Sequence, residues 1–311
     1  MRKINFALVA TASAGLAAGA LVLAPAASSA SLRTGPAQPA VQRNLQPPPR
    51  AGKGWTIQPT PVISSSYWGI ASIQLTGVSC ASASSCTSVG SYFYVYGHGR
   101  AHGPQGGTLA EHWNGSKWKV QATPSPSRFS TLTGVSCASA TRCTAVGYTY
   151  GGGTLAEHWN GRKWTIQATR SPSSSSGLTG VSCASATRCT AVGSTGSGTL
   201  AERWNGRKWT IQATPIQPST GSYFASVSCV SVTSCTATGV GIDKVSGNPI
   251  ALAERWNGRS WRIQATPNPA EPAIGLYGVS CDSAISCTAV GSYYTGGATE
   301  FFFSLAEHWQ G

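Results

Sequence analysis

The feature that most constrains the fold is a sequence unit that recurs five times. One copy reads GVSCAS at 134–139, CTAVG at 143–147, TLAEHWNG at 154–161 and WTIQAT at 164–169. The other copies surround Cys80, Cys183, Cys229 and Cys281. Each unit contains four short segments with strand character, which we label A to D. Four strands in a repeat of roughly 40–50 residues are typical of a β-propeller blade.

The two ends of the chain are permuted relative to the repeat. The last unit stops at Trp309-Gln310-Gly311, so its segment D is missing. A spare segment D, WTIQPTP, stands at 55–61, before the first complete unit. A closed ring accounts for this, because the first strand then completes the last blade and leaves no exposed sheet edge. We therefore predict an all-β protein: a five-bladed β-propeller of four-stranded antiparallel blades, closed by pairing the N-terminal strand with the C-terminal blade. An open β-solenoid is the alternative.

Segments C and D are joined through Asn-Gly, as at Asn160-Gly161, and this pair predicts a tight hairpin because both residues accept positive φ. The ten cysteines flank the turn between segments A and B in pairs six positions apart. An even number of cysteines in a secreted chain indicates disulfides, and the spacing predicts one local bridge in each blade. The pairs are Cys80/Cys86, Cys137/Cys143, Cys183/Cys189, Cys229/Cys235 and Cys281/Cys287. Zinc is not expected, since no close ligand set such as C-x2-C with a nearby histidine is present.

The N-terminus resembles a secretory signal peptide. Arg2 and Lys3 precede a largely apolar stretch, and small residues at 28–30 suit cleavage near Ala30. An uncleaved membrane anchor is the alternative, although an Ala/Gly-rich stretch inserts weakly. Residues 31–52 are proline-rich and have no apolar period, as expected of a linker. The predicted organisation is therefore a signal peptide at 1–30, a linker at 31–52 and a propeller at 53–311, in a secreted and monomeric protein whose mature chain has no membrane span.

The two ends of the blades carry different residues. The A–B and C–D turns are nearly constant in length and basic, and the formal net charge of the chain is +13. These turns hold Lys117, Arg142, Arg162, Lys163, Arg188, Arg207, Lys208 and Arg259. An anionic polymer is a possible partner of this basic face, and a solvated rim that keeps the protein soluble is the simpler explanation.

The B–C and D–A connections vary in length and contain many aromatic residues, as functional loops do. Exposed aromatic rings among serine and glycine suit a ligand with apolar faces and polar edges, such as a sugar. The alternative is that these rings pack their own loops. The ligand-binding candidates in these connections are Tyr92, Tyr94, Tyr96, His98, Tyr148, Tyr150, Tyr293 and Tyr294. The first and last B–C loops also contain Phe93, Arg100, His102, Glu300, Phe301, Phe302 and Phe303, and other connections contain Tyr67, Trp68, Phe129, Tyr223, Phe224, Asp243 and Tyr277.

Segment C repeats Leu-Ala-Glu-His/Arg-Trp, and five of the seven glutamates of the chain occupy this one position. Buried carboxyl groups require partners, so fivefold repetition favours a structural role. A set of equivalent sugar sites between blades is the functional alternative, with glutamate bonding hydroxyls and tryptophan stacking. The residues concerned are Glu111, Glu157, Glu202, Glu254 and Glu307, with Trp113, Trp159, Trp204 and Trp256.

The Trp-Asn-Gly-x-x-Trp hairpin and the cysteine-flanked turn, over residues 55–311, resemble those of secreted bacterial propeller proteins with kelch-type or sialidase-type (BNR) repeats. The architecture also resembles that of five-bladed propeller lectins, which implies one sugar site per blade. Two features depart from the sialidase type. Asn160 or Asn205 stands where its box has aspartate, and the arginine cluster and Tyr/Glu pair of a sialidase site have no counterparts here.

Three functions remain from the sequence. The first is a secreted, non-catalytic carbohydrate-binding module that needs no cofactor and binds a glycan or cell-surface polymer. The second is a protein-interaction scaffold at the cell surface. The third, with the least support, is a glycoside hydrolase, which usually needs two carboxylates about 5–10 Å apart. Outside the repeat only Asp243, Glu271 and Glu300 are placed to serve, and none lies in a known motif.

Overall fold

A computed structural model describes residues 55–61, 69–95, 105–215, 221–243, 245–267, 273–295 and 301–311. The predicted signal peptide and linker lie outside these ranges, so the proposed domain boundaries stay predictions. By its contacts the chain divides into Met1–Gln58 and Pro59–Gly311. Of the first unit, only residues 55–58 are described, and they form no regular secondary structure.

The described part of the second unit is built from strands alone, in five antiparallel sheets that follow one another along the chain. Sheet I contains β1 (Gly69–Ser82), β2 (Ser85–Val95), β3 (Gln105–Trp113) and β4 (Trp118–Gln121). Sheet II contains β5 (Ser130–Ser139), β6 (Arg142–Thr149), β7 (Gly153–Trp159) and β8 (Trp164–Gln167). Sheet III contains β9 (Gly177–Ser185), β10 (Arg188–Ser194), β11 (Thr199–Trp204) and β12 (Trp209–Gln212). Sheet IV contains β13 (Tyr223–Ser231), β14 (Ser234–Ile242), β15 (Pro249–Trp256) and β16 (Trp261–Gln264). Sheet V contains β17 (Ala273–Ser283), β18 (Ser286–Thr295) and β19 (Phe301–Gln310).

The prediction of an all-β protein made of four-stranded antiparallel repeats is confirmed for sheets I to IV. Sheet V has three strands, and residues 55–61 form no strand. Five blades in a closed ring therefore stay a prediction. In the ranges that the structure describes, no helix is long and apolar enough to cross a membrane.

Local disulfides hold the first two strands of every sheet together. In sheet II, Cys137 pairs with Cys143 directly across the ladder, and a disulfide joins them. The predicted pairing is confirmed in the other four sheets, where the bonds are Cys80–Cys86, Cys183–Cys189, Cys229–Cys235 and Cys281–Cys287. A glycine ends the segment that begins with the second cysteine of each pair, as Gly147 does in CTAVG at 143–147, and its lack of a side chain has a steric reason. A Cβ on Gly147 would lie 1.9 Å from the carbonyl oxygen of Thr131, opposite a bulge in β5.

The second cysteine of a pair has a packing role that its place beside a turn did not predict. Cys235 is 2% exposed and belongs to the hydrophobic cluster between sheets III and IV. Its sulfur lies 3.6 Å from the hydroxyl oxygen of Thr190 in sheet III. Its partner Cys229 is only partly buried and packs against the same cluster. The sequence placed both cysteines at the edge of a turn, whereas the structure makes Cys235 part of the core.

The predicted Asn-Gly hairpins are present, but their loops are longer than a two-residue turn. Trp159 and Trp164 form the last cross-strand pair, which leaves a four-residue loop between them. Asn160 Oδ1 accepts hydrogen bonds from the backbone N–H groups of Arg162 and Lys163, at 2.9 and 3.0 Å. Only the glycine needs positive φ, 93° at Gly161. The asparagine contributes its side-chain oxygen, which is the usual role of an Asx turn.

Consecutive sheets pack through their first strands, β1 on β5, β5 on β9, β9 on β13 and β13 on β17. Hydroxyl groups join these strands. The Thr76 hydroxyl donates to the carbonyl oxygen of Leu132 in the next sheet at 2.7 Å, and Thr133 and Thr179 repeat this bond. The Ser79 hydroxyl accepts from the Cys137 backbone N–H at 3.0 Å.

The hydrophobic core is divided into clusters that lie between consecutive sheets, and each of the three largest is closed by a tryptophan from a fourth strand. Trp164, 4% exposed, packs with Val89 and Ala110 of sheet I and with Leu132 and Leu155 of its own sheet. Trp209 and Trp261 hold the same position in the next two clusters. The fourth strand of a sheet therefore supplies the side chain that fills the space against the preceding sheet.

Candidate functional site

An open cleft of about 320 Å³ lies between sheets IV and V, at the end of the strands remote from the disulfides. We call it the aromatic cleft, and its lining residues are Gly221, Tyr223, Val240, Ile242, Pro249, Tyr277, Ser292, Tyr293, Tyr294 and Phe302. All ten are uncharged. Four phenol rings and one phenyl ring supply apolar surface, and the tyrosine and serine hydroxyls supply donors and acceptors.

Strand pairing places the rings of the aromatic cleft. Tyr294 pairs with Phe302 across β18 and β19, and their rings stack at a centroid distance of 5.7 Å. One residue along, Tyr293 stacks on Phe303 at 5.2 Å. Cross-strand aromatic pairs of this kind stabilise a sheet while leaving one ring face outward. Phe302 is 75% exposed.

Tyr223 of sheet IV and Tyr277 of sheet V also line the aromatic cleft. Burial, followed by the charge of Tyr277, raises the pKa of Tyr223 to about 12, so this hydroxyl stays protonated and able to donate at neutral pH. Tyr277 is 45% exposed and lies over Gly275, where a Cβ would come within 2.8 Å of the phenol ring and its oxygen. The absence of a side chain at Gly275 therefore allows this ring position.

A second group of aromatic rings lies at the same end of sheets I and II. Tyr92 contacts Tyr94 edge to face at 5.3 Å, and burial raises the pKa of Tyr92. Phe129 contacts both Phe93 and Tyr150, each at 6.2 Å. These rings pack on one another and are not among the residues that line the aromatic cleft.

The ligand-binding candidates predicted in the loops therefore lie in different places in the structure. Tyr293 and Tyr294 line the aromatic cleft, whereas Tyr92 and Tyr94 belong to the second group. Tyr148 is half-buried at the end of β6, and Tyr150 is 81% exposed. Tyr96 and His98 lie outside the described residues. The aromatic cleft also contains three residues that the sequence placed in variable connections without naming them as site residues: Tyr223, Tyr277 and Phe302.

The repeated glutamates lie between sheets and away from the surface. Glu111, Glu157, Glu202 and Glu254 are at most 1% exposed, and Glu307 in β19 is half-buried. Burial raises the pKa of Glu157 and of Glu202 to about 7 and that of Glu254 to about 8. Burial also raises the pKa of Glu111 and of Glu307.

The hydrogen bonds of these carboxyl groups differ between sheets. Glu202 Oε2 accepts from the backbone N–H of Arg170 in the preceding sheet at 3.2 Å. Prolines such as Pro124 and Pro215 hold the corresponding position beside the next glutamates and have no N–H to give. Within the described residues, neither carboxyl oxygen of Glu254 has a hydrogen-bond partner. The proposed contact of these carboxyl groups with sugar hydroxyls stays a prediction, and their burial keeps them out of contact with solvent in the described structure.

The tryptophans next to these glutamates pack on other side chains. Each forms a tilted pair with the tryptophan across its hairpin: Trp113 with Trp118, Trp159 with Trp164, Trp204 with Trp209 and Trp256 with Trp261, at 5.7–5.9 Å. The guanidinium of Arg203 in sheet III also lies 5.8 Å from the Trp256 ring in sheet IV. The structure thus gives these rings packing contacts, and their sugar-stacking role stays a prediction.

The basic turns are exposed, as the sequence predicted. Two of their arginines also bind within the sheet. Arg142 donates to the carbonyl oxygen of Asn160 at 2.9 Å, and Arg188 makes the same bond to Asn205. These bonds tie the A–B turn to the C–D turn. Binding of an anionic polymer by this face stays a prediction.

The residues considered for metal binding and for catalysis are placed as follows in the ranges described. No group of three metal-ligating side chains occurs there, and all ten cysteines are in disulfides. Asp243 accepts hydrogen bonds from Val245 and Ser246 in its own turn, which lower its pKa. Glu271 and Glu300 lie outside the described residues.

No family model matches the chain, and no curated protein matches it. Similar solved structures include the tricorn protease, at 10% identity and a TM-score of 0.45, over 79% of this chain and 22% of that chain. The SapL1 lectin in complex with alpha methyl fucoside has 10% identity and a TM-score of 0.43, over 73% of this chain and 77% of that chain. The fucose-specific lectin from Aleuria aurantia has 13% identity and a TM-score of 0.43, over 76% and 78%. This chain thus spans about a fifth of the tricorn protease.

Proposed function

We propose that the chain is a secreted, non-catalytic carbohydrate-binding module and that the aromatic cleft is its sugar site. The observation that carries this proposal is the lining of the cleft, which combines five aromatic rings with tyrosine and serine hydroxyls. A pyranose ring has apolar C–H faces and a rim of hydroxyls. Ligand sites of this kind are mostly apolar with a few polar groups that fix orientation.

The charge of the lining selects the class of sugar. Every residue that lines the aromatic cleft in the described structure is neutral, and the pKa of Tyr223 is held far above neutral pH. A neutral mono- or oligosaccharide therefore fits better than an acidic one. The volume, about 320 Å³, is at the small end of ligand sites and suits one or two sugar rings.

Catalysis is not part of the proposal. A glycosidase acts through two carboxyl groups on either side of the scissile bond. No carboxylate lies among the described residues of the aromatic cleft, and Asp243 is engaged by its own turn. Binding without turnover is the function that these residues support.

The proposed setting is an oxidising compartment outside the cell, reached through the signal peptide predicted at 1–30. Five disulfides are consistent with it, because such bonds persist where thiols are not kept reduced.

We also propose that the five sheets close into a five-bladed propeller. The two ends of the array present apolar surfaces that are buried elsewhere. Leu75 and Val78 of sheet I are 37% and 62% exposed, whereas Leu132 and Val135 at the same repeat positions are 0% and 9% exposed. At the other end, Val290 of sheet V is 52% exposed, whereas Val146 is fully buried. Packing sheet V on sheet I would cover both surfaces.

The test is a glycan array, with bacterial cell-wall polymers included, probed with the disulfide-intact chain from Ser31 to Gly311. Hits are followed by calorimetric titration of Tyr277→Ala and Tyr294→Ala, with Tyr150→Ala as the control because Tyr150 is exposed and outside the cleft. We expect the two cleft variants to weaken binding at least tenfold and the control to bind as the wild type does. A blank array together with capture of a protein ligand would replace this proposal by the scaffold function. Binding of anionic polymers alone, lost in salt, would move the site to the basic turns.

A further inference from the structure

The sheets carry their A–B turns, and sheets I to IV their C–D turns, at one common end, which we call the turn face. The Ser79 hydroxyl accepts from the Cys137 backbone N–H at 3.0 Å, and the same bond joins sheets II and III, III and IV, and IV and V. The A–B turns that follow these cysteines therefore lie side by side. Within sheet IV the two turns touch, since a Cβ on Gly258 would lie 3.0 Å from Cγ2 of Thr233. The aromatic cleft lies at the other end of the strands.

Positive charge accumulates on the turn face. In the described turns, and in the two residues on either side of each, Asp282 is the one acidic residue. A hydrogen bond from the Ser286 hydroxyl lowers the pKa of Asp282, so this carboxylate stays charged at neutral pH. The exposed basic side chains of the turns are Lys117, Arg142, Arg162, Lys163, Arg188, Arg207, Lys208 and Arg259. This excess of cations attracts an anionic partner to the turn face.

Exposed aliphatic side chains lie on the same face, in the A–B turns of sheets IV and V. Val230, Val232 and Ile285 are 37%, 40% and 59% exposed. In sheets II and III the same three repeat positions hold alanine or threonine, and the turn ends in Arg142 or Arg188. The A–B turns of sheets IV and V end in serine instead. The turn face therefore has arginines in the A–B turns of two sheets and larger aliphatic side chains in those of the next two.

Two contacts bring the aliphatic residues next to cationic ones. The guanidinium of Arg255 in sheet IV donates to the carbonyl oxygen of Ala284 in sheet V, which is the residue before Ile285. The contact between Thr233 and Gly258 brings the turn of Val232 against the loop that holds Arg259. Positive charge and exposed hydrocarbon thus share one surface. Exposed apolar side chains that are surrounded by polar groups are typical of a protein or membrane interaction site.

The combination of charge and hydrocarbon favours a lipid surface over a soluble polyanion. The phosphates of an anionic bilayer attract lysine and arginine, and the boundary between headgroups and acyl chains accepts aliphatic side chains. An acidic polysaccharide supplies the charge, but it has no hydrocarbon layer to receive Val232 and Ile285. Each A–B turn is also closed by a disulfide, as Cys229–Cys235 and Cys281–Cys287 close the two aliphatic turns. The surface therefore needs little ordering on binding.

We propose that the turn face binds the surface of a bilayer that contains anionic phospholipid. Val230, Val232 and Ile285 then enter the headgroup region, and the basic side chains of the turns lie against the phosphates. The aromatic cleft, at the other end of the strands, stays open to solvent. The residues of the turn face and those of the aromatic cleft are different, so this inference does not depend on sugar binding.

The first test is flotation of the disulfide-intact chain from Ser31 to Gly311 with vesicles of phosphatidylcholine, alone or mixed with phosphatidylglycerol. We expect the protein to float with the mixed vesicles and not with the neutral ones. Lys163→Gln with Lys208→Gln should weaken this binding at least tenfold, since each lysine near an anionic surface contributes roughly fivefold. Arg128→Gln with Arg170→Gln is the control, because these exposed arginines lie in connections at the other end of the strands. Equal losses in the two double variants would overturn the proposal.

A second variant separates a bilayer from a soluble polyanion. Val232→Ser with Ile285→Ser should weaken binding to the mixed vesicles at least fivefold and leave binding of dextran sulfate unchanged, because only the bilayer accepts hydrocarbon. Ile166→Ser with Ile211→Ser is the matched control, since both isoleucines are 48% exposed but lie in fourth strands, away from the turns. Vesicle binding that is unchanged in the Val232 and Ile285 variant would overturn the proposal and leave a site for polyanions.

Hydrogen exchange locates the surface that the bilayer covers. The mixed vesicles should slow exchange of the turn amides at 230–233 and 283–286 and leave those at 293–295, beside the aromatic cleft, unchanged. Slower exchange at 293–295 alone would place the bilayer on the aromatic cleft and reject the turn face. Tyr277→Ala should bind the vesicles as the wild type does, whatever its effect on glycans, so the membrane proposal and the proposed function fail separately.

Discussion

The indole nitrogen of Trp209 lies 3.0 Å from Oε1 of Gln167, and the two residues belong to different sheets. Trp209 is 1% exposed. Its N–H is therefore removed from water and depends on this one amide oxygen. The bond joins the fourth strands of consecutive sheets, as the hydroxyl bonds of Thr76 and Thr133 join the first strands.

Removing the acceptor should destabilise the protein by about 1–3 kcal/mol, the usual result of leaving a buried donor without a partner. Gln167→Leu is the variant, and urea unfolding is the measurement. Gln310→Leu is the control, since that side chain is exposed at the end of β19. Equal stabilities for the two variants would mean that the Trp209 bond contributes nothing net.

Stability should fall as pH rises from about 4.5 to about 8. The pKa of Glu254 is raised by burial to about 8, and those of Glu157 and Glu202 to about 7. In this range the folded state binds more protons than the unfolded state, so each carboxyl group lowers the free energy of unfolding as pH increases, by at most about 1.4 kcal/mol per pH unit. The loss is complete above pH 8, and the full stability returns below the unfolded pKa.

Glu254→Gln isolates one of these groups. The variant should match the wild type near pH 4.5 and exceed it in stability at pH 8, with a shallower decline between. Urea unfolding from pH 4 to 9 checks this. Asp243→Asn is the control, because its carboxylate is exposed and its pKa is lowered by the bonds within its turn. A wild-type curve that rises from pH 5 to pH 8 would contradict the assignment of neutral, buried carboxyl groups.

The two cysteines of one bridge should contribute unequally to stability. Loss of either one breaks the same loop of six positions, so the chain-entropy loss of about 2 kcal/mol is common to both. Packing differs, because Cys189 is 2% exposed in a core cluster while Cys183 is only partly buried beside it. Replacing Cys189 by serine should therefore lower stability more than replacing Cys183 by serine. Equal losses in denaturant unfolding would assign the whole effect to the unfolded chain.

Gly275→Ala should weaken glycan binding with little loss of fold. The added methyl group would lie within 2.8 Å of the Tyr277 ring and of Val240, and it displaces the phenol from the wall of the aromatic cleft. Titration with the best array ligand should show at least a threefold loss of affinity. Gly198→Ala is the matched control, since nothing lies within 4 Å of its Cβ position. Unchanged affinity in Gly275→Ala would exclude Tyr277 from the site.

The repeat made much of the fold accessible from sequence. Cys137 and Cys143 predict a hairpin because a short turn between two antiparallel strands brings residues at this spacing opposite each other. In the structure the two cysteines are paired across β5 and β6. The bonds between sheets were not predictable in this way. Thr133 donates to a carbonyl 45 residues away, and nothing in its local sequence distinguishes it from a surface threonine. The burial of Cys235 has the same origin, because the cluster around it includes Val192 and Ala201 of the preceding sheet.

Only part of the candidate site could be predicted, because contacts between separate strands are not visible in the local sequence. Tyr293 and Tyr294 were identified as aromatics near a variable connection, and both line the aromatic cleft. Tyr277 reaches the cleft from β17. It lines the same cleft as Tyr293 and Tyr294 of β18 only because these two strands pair. Equivalent sugar sites were the functional alternative for the tryptophans of segment C and stay a prediction. The structure adds a packing partner for each ring from the next strand of the hairpin, such as Trp164 for Trp159.

The local character of the five disulfides has a consequence for biosynthesis. Free pairing gives roughly a hundred combinations already at eight cysteines, yet here each correct partner stands opposite in the same hairpin. A hairpin such as β5–β6 contains both of its thiols, so in an oxidising compartment it can form its bridge without any other part of the chain. The folding of each hairpin thus selects the correct cysteine partner, and exchange of disulfides between sheets is not needed.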